Sequence, residues 1–547
     1  MRWIKTFAAA ALLLATQVSC SVIGQSAAGP NGELKPALSV ITTDDLLRHI
    51  KVLASDEFEG RAPGTRGETL TVEYLIKQFK ELGLSPGNPD GTYVQRVPMA
   101  AITGSPTASI IVGNKTIPLK YPRDYVAVSR QSRQEVAVDS SEMIFVGYGI
   151  VAPEYGWDDF KGVDVRGKTL VVLVNDPPVS DPSNPARMDP KVFEGKAMTY
   201  YGRWTYKYEI AAKKGAAAVI IVHEKKPAGY PYEVLIRSWG REIYSIEKEG
   251  SREDRVPVEG WIQANTARRV FALAGKSFDA LKRAAARRDF KPVSIGARAC
   301  FSIKNTIRKI GSQNVIAKLN GSDPKLKNQC VVFSAHWDHL GKNEKLRGDQ
   351  IYNGALDNAS GTAGLLEIAK AYSRLEIRPP RTIVFLALTA EEEGLLGSEY
   401  YAENPLYPLE RTSADINMDC LNPWGRTRDI PIIGPGSSFI SQIAREVAKS
   451  QNRRIVPDLE PEKGFFYRSD QFEFAKRGVP VLYTDAGIDM IGRPSEYGLR
   501  KRGQYTRRDY HKVTDEVKSD WDLSGAVEDL QFLFMVGYKI AGEESQR

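Results

Sequence analysis

The stretch Val331-Val332-Phe333-Ser334-Ala335-His336-Trp337-Asp338-His339 passes from a short apolar run straight into two histidines and an aspartate. Residues 331–335 suit a strand buried in a sheet. His336 then leaves the C-terminal end of that strand, the edge at which open α/β sheets bind ligands in a crevice. Asp338 stands where a carboxylate can hold the His336 imidazole in one tautomer. On its own, a strand-end histidine is more often a structural residue. Downstream the pattern repeats: residues 382–389, 414–418 and 479–483 read as further strands, with amphipathic helices such as 361–375 and 437–450 between them. From about residue 312 the chain therefore reads as α/β.

The ends of these strands carry acids. Asp357 lies in Asn353-Gly354-Ala355-Leu356-Asp357-Asn358-Ala359-Ser360-Gly361, whose small residues let the backbone approach a site closely. The same loop also reads as a helix cap, with Asn358 or Ser360 as the capping residue. Ala390-Glu391-Glu392-Glu393-Gly394 follows the apolar run 383–388. Three acids behind a buried strand are costly unless a metal, a cation or solvent compensates them. Asp419 closes the strand that contains Asn417 and Met418, and His511 follows Tyr510 near the C-terminus. The other histidines are His49, His223 and His339. Imidazoles and carboxylates together suit Zn²⁺ in an open site. Two metals about 3.5–4 Å apart can share one carboxylate.

The rest of the chain sets bounds. Its 547 residues are 42% hydrophobic and 26% charged, ordinary for a globular protein of several folding units. These fractions exclude a disordered tail, a collagen-like fibre and a small cysteine-stapled scaffold. Lys and Arg number 75 against 67 Asp and Glu, a net +8 mixed along the chain; a nucleic-acid binder would concentrate it. Arg2 and Lys5 precede an apolar run at 7–15 and a small, polar stretch at 16–21, the layout of a signal peptide over 1–20. Val18-Ser19-Cys20 resembles a lipoprotein box, although Gln17 stands where Leu is usual. Export follows, to the periplasm or beyond, with membrane attachment only through a lipid on Cys20. Cys300, Cys330 and Cys420 show no C-x-x-C spacing and read as buried thiols. Residues 21–40 read as a linker. A helix opens at Thr43-Asp44-Asp45, 56–64 is a loop, and 67–82 is a second helix stopped by Gly83. Residues 139–290 read as a separate β-rich module with few helices. The parts on either side of it are then 41–138 and 291–547.

Taken together, Ser334-Ala335-His336-Trp337-Asp338-His339-Leu340-Gly341, the Asn353 to Gly361 loop, the segment from Ala390 to Ser398, Asn417-Met418-Asp419 and Tyr510-His511 resemble, in order and spacing, the two-zinc aminopeptidases of the aminopeptidase Y type. That family also includes glutamate carboxypeptidase and the transferrin receptor. The likeness covers about 45–137 and 300–535, and Asp56 to Gly64 resembles the family's N-terminal segment. It implies a zinc-exopeptidase fold of the phosphorylase/hydrolase type, a mixed sheet flanked by helices. It also implies two zinc ions: His336, Asp357 and Asp419 on one, with Asp357 bridging to a second held by Glu392 and His511. Glu391 is then the general base, Asp338 orients His336, and Tyr510 polarises the scissile carbonyl. Residues 139–290 resemble an inserted protease-associated domain, through Gly147-Tyr148-Gly149, Trp157-Asp158-Asp159 and the segment from Val163 to Lys168. The expected activity is aminopeptidase hydrolysis of peptides. A carboxypeptidase or dipeptidase on the same metals is the alternative, with Arg500, Lys501, Arg502, Arg507 and Arg508 either binding a substrate carboxylate or forming a solvated loop. A non-catalytic ectodomain conflicts with the complete ligand set, and a nucleotide-binding α/β protein lacks its glycine-rich phosphate loop. Neither the oligomeric state nor the natural peptide follows from the residues.

Overall fold

The four apolar runs expected after residue 312 become neighbouring strands in the computed structural model, which describes residues 30–248 and 255–543. They run Val481–Tyr483, Thr412–Asn417, Cys330–His336 and Thr382–Leu388 across the sheet, all parallel. Every residue of the last two strands is buried. Their near-continuous apolar character follows from cover on both faces. Alternate side chains serve different layers. Val331, Phe333 and Ala335 face a core shared with the helices Thr43–Leu53, Arg66–Glu81, Gly361–Ser373 and Ser524–Gly542. Val332, Val384 and Leu386 face Tyr401 and Phe474, from the helices Leu396–Glu403 and Gln471–Ala475. The strand register pairs His336 with Leu388 and Ser334 with Asn417. The chain segments that carry His336, the three glutamates and Asp419 therefore leave the sheet at one edge.

Near the N-terminus, the helix Thr43–Leu53 is capped by Thr42, whose Oγ1 accepts from Asp45 N at 3.3 Å. The expected linker over 21–40 needs correction in its second half. Pro30–Leu38 is helical, and Leu34 and Ala37 are buried on the main core. The Gly and Pro content of that stretch hid the two apolar contacts that order it. The loop expected at 56–64 contains a tight helical turn, Asp56–Arg61, interrupted by positive φ at Glu59, Gly60 and Arg61. The proposed signal peptide, Cys20 included, lies outside the described residues.

The segment 139–290 is also corrected. It holds three parallel strands, Thr169–Leu173, Ala218–His223 and Val258–Gln263, and the helices Trp204–Lys213, Tyr232–Trp239, Ala264–Leu273 and Phe278–Ala285. It is α/β, and its helices, eight to ten residues each, are too short to impose a clear period on a charged sequence. Its boundary moves too, because Tyr125–Val128 pairs antiparallel with Val258–Gln263. Two long strands, Val94–Val112 and Val293–Leu319, pair antiparallel from Ala297↔Val112 to Val315↔Val94. They carry one 14-stranded sheet through both regions. Each region nonetheless keeps its own core: Trp337 and Phe385 lie in one, Phe145 in a second and Trp261 in a third. Cys300, Cys330 and Cys420 are free thiols, Cys330 alone fully buried. Among the described residues, no helix is long and apolar enough to cross a membrane.

Candidate metal centre

All eight side chains singled out above meet at the C-terminal edge of the parallel strands or on the loops around it. His336, Asp357 and Asp419 offer donor atoms within 4.8 Å of one another. His336 Nε2 lies 3.5 Å from Asp357 Oδ1 and 3.4 Å from Asp419 Oδ1. His511 Nε2 lies 3.1 Å from Asp357 Oδ2 and 3.1 Å from Glu392 Oε2. Asp357 thus turns one carboxylate oxygen to each side. Glu391 Oε2 stands 3.9 Å from His336 Nε2. The ring of Tyr510 stacks on His511 with centroids 3.9 Å apart.

Local sequence explains how each donor is held. Asn358 Oδ1 accepts from Gly361 N at 2.9 Å, so the helix that follows is capped beside Asp357. The capping reading and the ligand reading of this loop therefore apply to adjacent residues. Gly354 takes φ 56°, and a Cβ there would sit 2.3 Å from Asp357 O and 2.5 Å from His339 Cδ2, so only glycine fits. Asp338 does more than face His336, whose Nδ1 is 3.6 Å from its Oδ1. Its two oxygens also accept from Glu391 N at 3.1 Å and Glu392 N at 3.3 Å. His336 Nδ1 itself lies 3.2 Å from the Asp338 main-chain oxygen, so this one residue contacts the imidazole through its backbone and the glutamate turn through its carboxylate.

Three further residues belong to the site and had no role from the sequence. His339 Nδ1 lies 2.6 Å from Glu392 Oε1, and His339, Asp357 and Glu392 form a second group of converging donors. His339 therefore stands on the same carboxylate pair as His511. Its place in the first motif was visible; its direction was not. Asp515 accepts from Leu356 N and Asp357 N, both at 3.1 Å, and from the Tyr505 hydroxyl at 3.1 Å. Arg61 is buried and donates to four backbone carbonyls: Trp337 at 2.9 Å, Leu53 at 2.7 Å, Asn353 at 2.6 Å and Gly354 at 2.9 Å. It ties together the loops bearing His336 and Asp357. No local signal identifies either residue, because their partners lie far away in sequence.

Electrostatics mark the cluster as one built around positive charge. Burial raises the Glu391 carboxyl well above the usual range; His336 opposes that, and Asp419 and Glu392 add to it. Burial disfavours charge on His511, yet Glu392 and Asp357 outweigh it and lift the imidazole to about 10. A divalent metal fits this donor set. The donors are nitrogen and carboxylate oxygen, the ligands zinc accepts. Buried His339 Nδ1 and Nε2 and Glu392 Oε1 find no hydrogen bond of workable angle within the protein. Such atoms are costly unless something else satisfies them. The basic group at 500–508 is part of a helix, Tyr497–Arg508, rather than a loop, and Lys501 and Arg502 pair there with Asp520 and Asp485.

The fold and the site define an α/β protein with imidazoles and carboxylates gathered at the C-terminal ends of its parallel strands, in two donor groups that share Asp357. Residues 314–535 match the model of peptidase family M28. Leupeptin-inactivating enzyme 1 of Streptomyces exfoliatus is 28% identical over 207 residues, which are 37% of this chain and 43% of that protein. Aminopeptidase Y of Saccharomyces cerevisiae is 28% identical over 232 residues, 41% of this chain and 38% of its own length. The matched region thus spans less than half of these relatives. Among solved structures, an aminopeptidase from Aneurinibacillus sp. strain AM-1 superposes with a TM-score of 0.51 at 18% identity, covering 94% of this chain and 97% of that one. That likeness extends the shared fold beyond the matched segment.

Proposed function

We propose that the protein is an exported, zinc-dependent aminopeptidase that removes N-terminal residues from peptides. The observation that carries this reading is Asp357 turned between two donor groups, with Glu391 beside them. In the proposed arrangement His336, Asp357 and Asp419 hold one zinc, and Asp357, Glu392 and His511 hold the second. Zinc bound there supplies Lewis acidity and makes water more acidic. Glu391 takes a proton from the attacking water and returns it to the leaving amine. Burial raises its carboxyl well above the usual carboxylate range, which strengthens it as a proton acceptor. Asp338 keeps the His336 ring in place through its main-chain oxygen and the Glu391 backbone through its carboxylate. Tyr510, stacked on His511, offers its hydroxyl to the carbonyl oxygen as charge develops there.

Activity on a panel of aminoacyl-peptides and N-blocked peptides, before and after chelation and after zinc addition, tests this. Release of N-terminal residues, lost on chelation and restored by zinc, is expected. Release of C-terminal residues alone would move the reading to a carboxypeptidase. Export is supported by the basic, apolar and small-residue order of residues 1–20; N-terminal sequencing of protein from its host should find a start near residue 21 or a lipidated Cys20. Residues 139–290 are proposed as a protease-associated domain, on the motifs given above. The donor pairs Arg241–Glu393 and Arg255–Glu399 join this region to the chain around the glutamate turn, which supports a role in shaping access.

A further inference from the structure

Charge of both signs is mixed along most of the chain, but not everywhere. Residues 273–298 hold seven Lys and Arg against two Asp, a net +5 of the chain's +8. They include the helix Phe278–Ala285 and the start of the strand Val293–Leu319. Both acids are already engaged: Arg268 Nη2 lies 3.1 Å from Asp279 Oδ1, and Arg287 Nη2 lies 2.8 Å from Asp289 Oδ2. Lys282 pairs with Glu224. Arg283 and Lys291 are exposed and have no ion pair among the described residues. A face charged with one sign projects a positive potential into solvent.

The same segment builds a groove. Leu281, Arg283, Arg287, Phe290, Lys291 and Val293 are among the residues that line an open cavity of about 470 Å³. Helical spacing explains its apolar part. Phe278, Leu281 and Ala285 share one stripe of their helix. Phe278 and Ala285 are buried in the core that contains Phe145, and Leu281 and Val293 are left half-buried at its margin. A second segment closes on the groove: Arg288 donates to Tyr155 O, and Lys161 lies within electrostatic reach of Asp289. Val163, two residues further on, is 40% exposed. None of these residues belongs to the core that contains Trp337 and adjoins the metal donors.

We infer that this basic groove docks the protein on an anionic phospholipid surface, with Arg283, Arg287 and Lys291 against lipid phosphates and the apolar margin at the headgroup boundary. Charge alone would suit any polyanion. Apolar side chains left half-buried among the cations add a gain that only an amphiphile supplies. The cations come from a helix, the chain after it and the loop at 161, so they present a face rather than a slot for one side chain. A sheet of lipid phosphates meets such a face with several groups at once, and each Lys or Arg adds its own increment. This contact is separate from the lipid site at Cys20 and from the peptidase reaction.

The test is sedimentation of the full-length protein with vesicles, in a Cys20→Ala background that removes the proposed lipid site. The apolar run at 7–15 is then common to every variant. Vesicles of phosphatidylcholine with about 30 mol% phosphatidylglycerol should bind at least about tenfold more strongly than phosphatidylcholine alone, and about 0.5 M salt should abolish the difference. Reversing two exposed charges, Arg283→Glu with Lys291→Glu, should lower the partition coefficient at least about tenfold and leave peptide hydrolysis unchanged. Leu281→Ser should lower it at least about threefold, and exposed Val163→Ser serves if the first variant fails to fold. Equal binding to both kinds of vesicle, or no effect of the charge reversal, would overturn the inference. Soluble polyglutamate is the second probe. Binding it as tightly as the vesicles, with no loss in either serine variant, would reassign the face to an acidic polypeptide and overturn the lipid claim.

Discussion

Glu391 and Glu392 are adjacent residues with different surroundings. Glu392 Oε2 meets His511 Nε2 at 3.1 Å, whereas Glu391 Oε2 reaches only His336 Nε2, at 3.9 Å. On the proposed roles, Glu391→Gln should keep its bound metal and substrate affinity while kcat falls about 10²–10⁴-fold. Glu392→Gln should lose metal first, because a neutral amide oxygen replaces an anionic ligand. Metal content and kcat measured side by side distinguish the two, and the reverse pattern would swap the roles. Arg61 acts at the same scale without touching substrate. Arg61→Ala would leave four buried carbonyls without their donor. The expected cost is at least about 3 kcal/mol in urea unfolding, accompanied by weaker metal retention. Arg61→Lys should recover little, since one ammonium cannot reach carbonyls on three separate loops.

At the scale of elements, the helices Thr43–Leu53 and Gly361–Ser373 meet through a buried acid and a buried imidazole. His49 Nε2 lies 3.8 Å from Glu367 Oε1, and both residues are almost fully buried. Burial raises the Glu367 carboxyl to about 7, against the pull of Lys370. Burial, with Arg48, lowers His49 to about 4. The contact is therefore neutral to neutral near pH 6. The two groups act on stability with opposite signs. Glu367 holds its proton when folded, so its contribution is full below about pH 4.5 and is lost as pH rises through about 7. His49 is held uncharged when folded, so its contribution grows as pH rises from about 4 to 6.5. The two slopes largely cancel in the wild type. Glu367→Gln removes one of them. Between pH 4.5 and 7 this variant should gain on the wild type by on the order of 2–3 kcal/mol, read by urea unfolding at a series of pH values. A constant difference across that range would refute the raised carboxyl.

At the scale of the molecule, two long strands join regions whose cores are separate. A bound metal stabilises only the unit that holds it, by about 2.7 kcal/mol at a hundred times Kd. Chelation should therefore lower the melting of the unit that contains Trp337 and leave the unit around Trp261 nearly unchanged. Trp261→Ala should do the converse, with a cost of about 3–5 kcal/mol to its own unit. Differential scanning calorimetry of the full chain checks both, and one transition moved equally by either change would show that the continuous sheet makes the cores unfold as one.

The residue order alone determined the α/β character beyond residue 312 and the placing of His336, the glutamates at 391–393 and Asp419 at strand ends. Those features are local: a buried parallel strand is an apolar run, and the residue after it necessarily stands at the sheet edge. Charge balance and motif order likewise needed no coordinates. Only the tertiary structure decided that His339 turns to Glu392, that Asp338 holds the glutamate turn, and that Arg61 and Asp515 anchor the loops. Each of these is a contact between residues distant in sequence, or a choice of side-chain direction that no spacing encodes. The same holds for the region at 139–290. Its short helices carry too few turns to show a period, and its union with the rest depends on strand pairing across nearly 200 residues. Long-range pairing is settled by packing and charge in three dimensions, and a linear reading of the chain has no access to either.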